Sequence, residues 1–485
     1  MLFKSVVEKV VKESFSALLM SERTAYIQQI GKAWDFYNGF QKQYIKRLFK
    51  EDDDEFALRK KPVFNYTKTV VDEYVNGVFG RGFEIKFTDE SLQEDWKEIV
   101  TPLWSQGVYP FFETVQRVAE ISDTCAVAIR WNDSDKSLSF EDIRGEFIHV
   151  IPDTENPRRI GAIVISYQFD TGVGAGENRL QNRIEIWSRD KYLVAHFNRA
   201  KKSYDVKAQG DNPYGFIPIE LFQPQGDEAT FYGKSSVLDV VEVNDVYNNL
   251  WSALMRICDF QSFSLLFIRS DNDIQVDIAP TRFLKLPDSE KGDAKYITPD
   301  AKIGDVLKVA QTLKDELRNI ARVPEDVVST GDIKQPQSGY SLRIKRMPIE
   351  QQWKARRKSY GPTLVQLAKK ALYVKRLHET GRKIELEGEI AEIDFSSFTA
   401  PLSPEEQQVI DNFELKHGII SPIDILLRKN PDMTREEAAE QIKRNLEEKR
   451  DLLGAGGLEN GEGDYDYFMR SVRGDDEEDE EEKEK

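Results

Sequence analysis

The sequence predicts an α+β protein, mainly helical, and three observations carry that prediction. Apolar residues recur at spacings of three and four in the opening segment and again over residues 70–78. The stretch from about residue 125 to 222 changes to short runs rich in β-branched and aromatic residues, bounded by turn formers. From residue 235 two long apolar-striped tracts flank a short strand-like insert.

The first ~80 residues read as helices, on the opening segment and again on residues 70–78. The acidic run 51–55 interrupts them and is expected to be an exposed loop. Asn76, Gly77, Gly80 and Gly82 mark a turn into a short strand over 83–87. Residues 126–131, 163–169, 183–188 and 191–198 are expected strands, and 216–222 another, with Pro218 pointing to a sheet edge because it cannot donate to a ladder.

Residues 235–263 read as one helix, with Val240, Val243, Tyr247, Leu250, Leu254 and Ile257 on one stripe and Ser235 or Ser236 as its N-cap. At 1.5 Å per residue it would be ~43 Å long. Strand-like pieces follow at 264–269, 282–286 and 295–297, then a helix over 303–322 that Pro324 stops. Two apolar-faced helices carrying a small β tip cannot bury both stripes alone, so the pair asks for neighbours. A third helical tract covers 340–377, with kinks or breaks expected at Pro348 and at Gly361-Pro362. A strand-like 383–395 precedes helices over 403–450, with start signals at Ser403, Ser421-Pro422 and Thr434-Arg435-Glu436-Glu437. The last thirty residues, Gly-rich and then acidic, read as disordered.

Composition excludes several function classes. The 485 residues carry a net charge of -17, from 68 Lys+Arg against 85 Asp+Glu, which argues against a surface that grips nucleic acid throughout. Two cysteines, Cys125 and Cys258, cannot form a disulfide framework and fit core thiols of a reducing compartment. Residues 1–20 form an amphipathic, charge-interrupted segment rather than a signal peptide, and no apolar run reaches the ~20 residues that span a bilayer. The expected product is soluble and intracellular where it is made.

Motif-like stretches fail on chemistry. Gly233-Lys234-Ser235 opens a helix after a strand, yet position 228, where a phosphate loop needs its first Gly, is Glu. Gly172 to Gly176 lies between two strands and reads as a hairpin turn, not a dinucleotide loop. His149, His196, His378 and His417 are scattered singly, and the Asp52–Asp54 cluster lacks a cation-loop pattern. No catalytic residue, cofactor site or metal site is expected, and the chain is not expected to be an enzyme. One basic concentration stands out: Arg343, Lys345, Arg346, Lys354, Arg356, Arg357 and Lys358. It suits either a face paired with a neighbouring subunit's acids or contact with DNA phosphates.

Several segments together resemble the phage portal family, especially the branch typified by portals of long-tailed phages of Gram-positive bacteria. They are Trp34-Asp35-Phe36-Tyr37-Asn38-Gly39, the Asn65-led helix through Asp72, Asn212-Pro213-Tyr214-Gly215-Phe216-Ile217-Pro218, and Gly233-Lys234-Ser235-Ser236 through Asn248. Ser338-Gly339-Tyr340-Ser341-Leu342 resembles a family element in which Ala usually stands at the place of Ser341. Gly418-Ile419-Ile420-Ser421 and the helix after Thr434 resemble the family's C-terminal helices. The resemblance covers about residues 22–450.

It implies a portal fold: a wing (1–234 and 323–398), a stem of two helices (235–263 and 303–322), a small α/β clip (264–302), a helical crown (399–452) and an acidic tail (453–485). A tunnel loop would lie near 329–339, including Thr330, Gln335, Gln337, Ser338 and Gly339. The implied function is a ring of about twelve identical subunits, a dodecamer, at one capsid vertex, through which double-stranded DNA is packaged and ejected. Implied partners are the terminase large subunit, a head-tail adaptor and the major capsid and scaffold proteins, with DNA passing non-specifically and no membrane. The location is the virion, and the host cytoplasm during assembly. A duplex must slide, so acidic residues of the stem are the expected channel lining: Asp239, Glu242 and Asp245, or Asp305, Asp315 and Glu316. The rival readings are another phage structural or scaffold protein and a DNA-packaging ATPase or nuclease.

Overall fold

The computed structural model describes residues 3, 7, 21–105, 108–170, 180–198, 203–226, 230–261, 265–269, 293–297, 303–324, 339–383, 391–395, 404–430 and 433–453. The chain divides into two compact units, residues 1–335 with 344–398, and residues 336–343 with 399–485.

In the first unit, α1 (Ser21–Tyr37), the short α2 (Asp53–Leu58) and α3 (Tyr66–Asn76) come first. Asn65 caps α3, its side chain accepting from the Lys68 N–H at 3.1 Å. Strand β1 (Phe83–Phe87) leads to α4 (Glu90–Ser105) and α5 (Val108–Ser122), two helices that are not among the expected elements. The acidic run 51–55 is not a loop. Asp52 caps α2 by accepting from the Glu55 N–H at 2.7 Å, and Asp53 and Glu55 lie in its first turn, where carboxylates oppose the helix dipole favourably.

Two antiparallel sheets follow. β2 (Cys125–Asn132) is the middle of a three-stranded sheet between β3 (Ser137–Arg144) and β9 (Ile219–Phe222). β9 is the edge strand that Pro218 predicts; the Pro218 carbonyl accepts from Ile129 N–H at 2.9 Å. The second sheet is a five-stranded meander of β4 (Ile148–Pro152), β5 (Ile160–Asp170), β6 (Leu180–Ser188), β7 (Lys191–Asn198) and β8 (Ser203–Asp211). β5 and β6 pair antiparallel up to Asp170 and Leu180; the expected turn at 172–176 lies outside the described residues. Buried Glu185 of β6 ties the sheets together, meeting Arg130 of β2 and Arg183 of β6, each at 2.6 Å. Burial pushes that carboxyl up, but the two guanidinium groups and the Trp187 N–H hold it below the ordinary range.

Helix α6 (Leu238–Gln261) and helix α7 (Ile303–Ala321) come next, with an antiparallel strand pair between them in sequence, β10 (Leu265–Arg269) and β11 (Asp293–Ile297). The third expected strand of the insert, 282–286, lies outside the described residues. Neither Ser235 nor Ser236 caps α6 directly. The helix starts at Leu238, and Ser235 Oγ accepts from Val237 N–H at 3.4 Å just ahead of it. α7 ends as Pro324 predicts, with Arg322 in the left-handed region at φ 54.

Helix α8 (Gly339–Thr380) continues through Pro348 and Pro362, so of the kinks or breaks expected there the breaks do not occur. Its packing outweighs the lost backbone bonds: Ile349, Tyr360, Leu364, Leu367, Ala368, Ala371 and Leu372 are all buried in the main core. Gly361 leaves room for Ile393 of β12 (Ala391–Phe395), which would sit 3.4 Å from an added Cβ. β12 pairs antiparallel with β1. Gly77 serves the same purpose at the end of α3, where a Cβ would come within 1.9 Å of the Trp353 indole.

The second unit holds α9 (Pro404–Lys416), α10 (Pro422–Lys429) and α11 (Arg435–Leu453). The start signals at Ser421 and Thr434 both form reciprocal capping boxes, Ser421 with Asp424 and Thr434 with Glu437. Ser403 and the acidic tail lie outside the described residues.

Candidate functional site

The site centres on α6 and α7. α6 is fastened to the N-terminal third of the chain along one face. Lys32 of α1 bridges Glu242 at 2.9 Å and Asp245 at 3.0 Å, and Asn244 accepts from the Thr67 N–H at 3.2 Å. Burial lowers the Lys32 ammonium, but the two carboxylates outweigh it and hold it above its ordinary value. Asn248 joins Gln41 and the Phe64 N–H; Ser252 donates to the Lys60 carbonyl at 2.9 Å. On its other side α6 shares a core with α7, through Val240 and Val243 against Leu317 and Ala321.

The candidate acids do not share one environment. Asp239 and Glu242 are exposed, whereas Asp245 is buried and bonded to Lys32 and Asn249. On α7, Asp305 is exposed beside Lys308 at 3.3 Å, Asp315 meets Arg318 at 2.9 Å, and Glu316 is exposed. At about 100° per residue, a spacing of three turns each acid about 60° from the last, which carries Asp239, Glu242 and Asp245 from water into the core.

The basic group also divides. Arg356 is buried, with Glu120 of α5 at 2.6 Å and 3.0 Å and the Tyr74 ring 3.9 Å from its guanidinium carbon. It therefore has no surface to offer DNA or a neighbour, contrary to the expectation for it. Arg357 donates to the Gly77 carbonyl at 3.0 Å and is half-buried. Lys345, Lys354 and Lys358 are exposed and Arg346 is half-buried; Arg343 belongs to α8, its side chain outside the described set. Thr330, Gln335, Gln337 and Ser338 lie outside the described residues, and Gly339 opens α8.

Gly233 is a packing glycine. An added Cβ would lie 2.4 Å from the Asp123 carbonyl oxygen, and its N–H donates to Thr124 Oγ at 3.0 Å, so it has no room to wrap a phosphate. His378 stacks on Trp131 at 4.8 Å and meets the Tyr214 hydroxyl at 3.0 Å. Among the described residues no group of three or more His, Cys, Asp and Glu could hold a metal, and no helix is long and apolar enough to cross a membrane.

Residues missed in the sequence are those that fasten α6: Lys32, Glu51, Arg59 and Arg256. Glu51 is fully buried between Arg59 at 3.3 Å and Arg256 at 2.7 Å. Burial raises its carboxyl, and the Leu48 N–H with both guanidinium groups more than reverses that. No local pattern marks such a residue, because its partner Arg256 stands some two hundred positions away.

Residues 18–451 match the family described as Phage portal protein, SPP1 Gp6-like. The match spans most of the chain, and the protein belongs to that family. It is a portal protein, a structural component of the phage virion at a capsid vertex, where head meets tail. Two solved structures are similar. A chain of the virion of a native gene transfer agent particle has 13% identity and TM-score 0.39, covering 80% of this chain and 89% of its own. A chain from the neck of an empty particle of that agent has 12% identity and TM-score 0.41, covering 77% and 91%. No curated protein matches.

Proposed function

We propose that the chain is one subunit of a closed ring, of about twelve copies, whose central channel passes double-stranded DNA during packaging and ejection. In this reading α6 and α7 are the stem, the β10–β11 pair belongs to the clip, residues 323–398 with the N-terminal region form the wing, and 399–452 form the crown. Motor and tail adaptor dock at the clip, and capsid and scaffold proteins meet the rest of the subunit. The ring is assembled in the host cytoplasm and performs no catalysis. The branch is that of long-tailed phages of Gram-positive bacteria.

The observation that carries the reading is the incomplete burial of α7. Val309 is 52% exposed and Ile320 44% exposed, although both continue one edge of the apolar face that α6 covers. A single chain leaves that stripe in water; a neighbour in a ring removes it. Exposed Asp239 with Glu242, or else Asp305 with Glu316, suits a wall along which phosphates slide without counterion-releasing contacts.

Negative-stain images of the purified protein test the ring: annular particles with a central hole are expected, and a protein that stays monomeric at high concentration overturns it. Neutralising Asp239 with Glu242, and separately Asp305 with Glu316, tests the channel. Shortened packaged genomes are expected from the lining set, and full-length genomes from both sets remove the assignment.

A further inference from the structure

Residues 45–61 form an arm that is clasped to the C-terminal half of α6. Lys46 N–H donates to Asn249 at 2.8 Å, Arg256 meets Glu51 at 2.7 Å and Glu55 at 2.8 Å, and Lys60 meets Asp259 at 2.8 Å. Arg59 ties the arm to itself, donating to the Lys46 carbonyl at 2.6 Å. Asn249, Ser252, Arg256 and Asp259 are spaced three and four apart, so one face of α6 carries the whole clasp.

Such a framework fixes the arm, yet it displays two large apolar side chains to solvent. Phe49 is 90% exposed and Leu58 85%. Single exposed apolar residues are common. Two of them on a segment held by this many charged bonds make a preorganised pair of knobs, because little ordering cost remains when they dock.

The complementary surface lies on α7, which packs on a different face of α6. At about 100° per residue, Val309 and Ile320 fall on adjacent lines, next to Leu313 and Val306, while Leu317, Ala310 and Ala321 are the part already buried. Asp305 and Glu316 flank Val309 and Ile320 on the solvent side. On the arm, the Lys50 ammonium lies 5.4 Å from the Phe49 ring, and Lys50 holds the left-handed turn at φ 62. A cation beside the knob thus matches an acidic rim beside the strip.

We infer that the arm's Phe49 and Leu58 dock on the Val309–Ile320 strip of α7 in a second copy of this chain. Knobs and strip sit on different faces of one subunit, so the contact is head-to-tail, the kind that closes into a ring when its rotation permits. The inference rests on the ring reading above and names one contact within it.

The test starts from the full-length protein. Phe49→Ser combined with Leu58→Ser should abolish annular particles while leaving a folded monomer with an unchanged unfolding midpoint, since neither side chain is buried in the subunit. Val309→Ser with Ile320→Ser should do the same to assembly. In a Cys258→Ser background, Phe49→Cys with Ile320→Cys should give a ladder of covalent oligomers with a short bismaleimide, and neither single cysteine should. Rings that form from both serine variants, or wild-type-like rings of the double-cysteine protein that yield no ladder, overturn the contact and leave the ring standing. A wild-type protein that never assembles removes the ring reading and the contact with it.

Discussion

The junction of α5 with α8 and the α6–α7 pair were built on opposite terms. At the first, the buried charges are answered inside the chain: Glu120 meets Arg356, Tyr360 lies 3.4 Å from the same carboxylate, and Gln116 donates to it at 3.2 Å. At the second, Lys32 of α1 and the arm answer polar groups of α6, but Val309 and Ile320 of α7 are left in water. A buried charge must find its partner within the folding chain or the fold fails, whereas an exposed apolar strip costs a monomer little and rewards association. The junction holds the subunit together; the helix pair leaves an apolar strip that the proposed ring would cover.

The largest expected effect strikes the junction. Glu120→Gln leaves the Arg356 guanidinium buried without its counter-charge and should cost about 3–5 kcal/mol in chemical denaturation. Replacing both partners with apolar residues should restore much of that loss; if Glu120→Gln is silent, the self-contained half of the comparison breaks.

The next effect depends on pH. Buried Asp123 is pushed up to about 6 by desolvation, despite Arg23 at 2.5 Å. A carboxyl raised in the folded state binds more protons there than when unfolded, so its contribution to stability falls as pH rises from its unfolded value through about 6. Asp123→Asn removes this dependence. The variant should therefore gain on wild type by up to about 3 kcal/mol between pH 4 and pH 7, in unfolding curves taken at both. A constant difference across that range would remove the proposed titration.

Two glycine substitutions sharpen the contrast further. Gly233→Ala must move the Asp123 backbone and should lower stability by about 1–3 kcal/mol. Gly304→Ala, in the first turn of α7 with nothing within 4 Å, should raise it by about 0.5–1 kcal/mol without affecting assembly. Thermal unfolding of the two variants beside wild type reads both signs.

Where a local rule governed the outcome, the sequence was legible. Periodicity marked α6 and α7 to within a few residues, Pro324 marked the end of α7, Pro218 the sheet edge, and Ser421 and Thr434 the helix starts. Where distant partners governed it, reading failed. The run 51–55 looked like a solvated loop because Arg256, which buries Glu51, was invisible locally. Arg356 looked like a surface cation because Glu120 stands 236 residues away. Pro348 and Pro362 read as kinks or breaks, and no break occurs because the core that holds α8 through them is assembled from the whole first unit.

By itself the sequence determined the mixed, mainly helical class, the striped helix pair and the order of segments that marks a portal protein, since each follows from spacing along one chain. Only the tertiary structure decided which charges are buried and which apolar residues remain outside. Burial is a property of what surrounds a side chain, and those surroundings come from residues hundreds of positions apart.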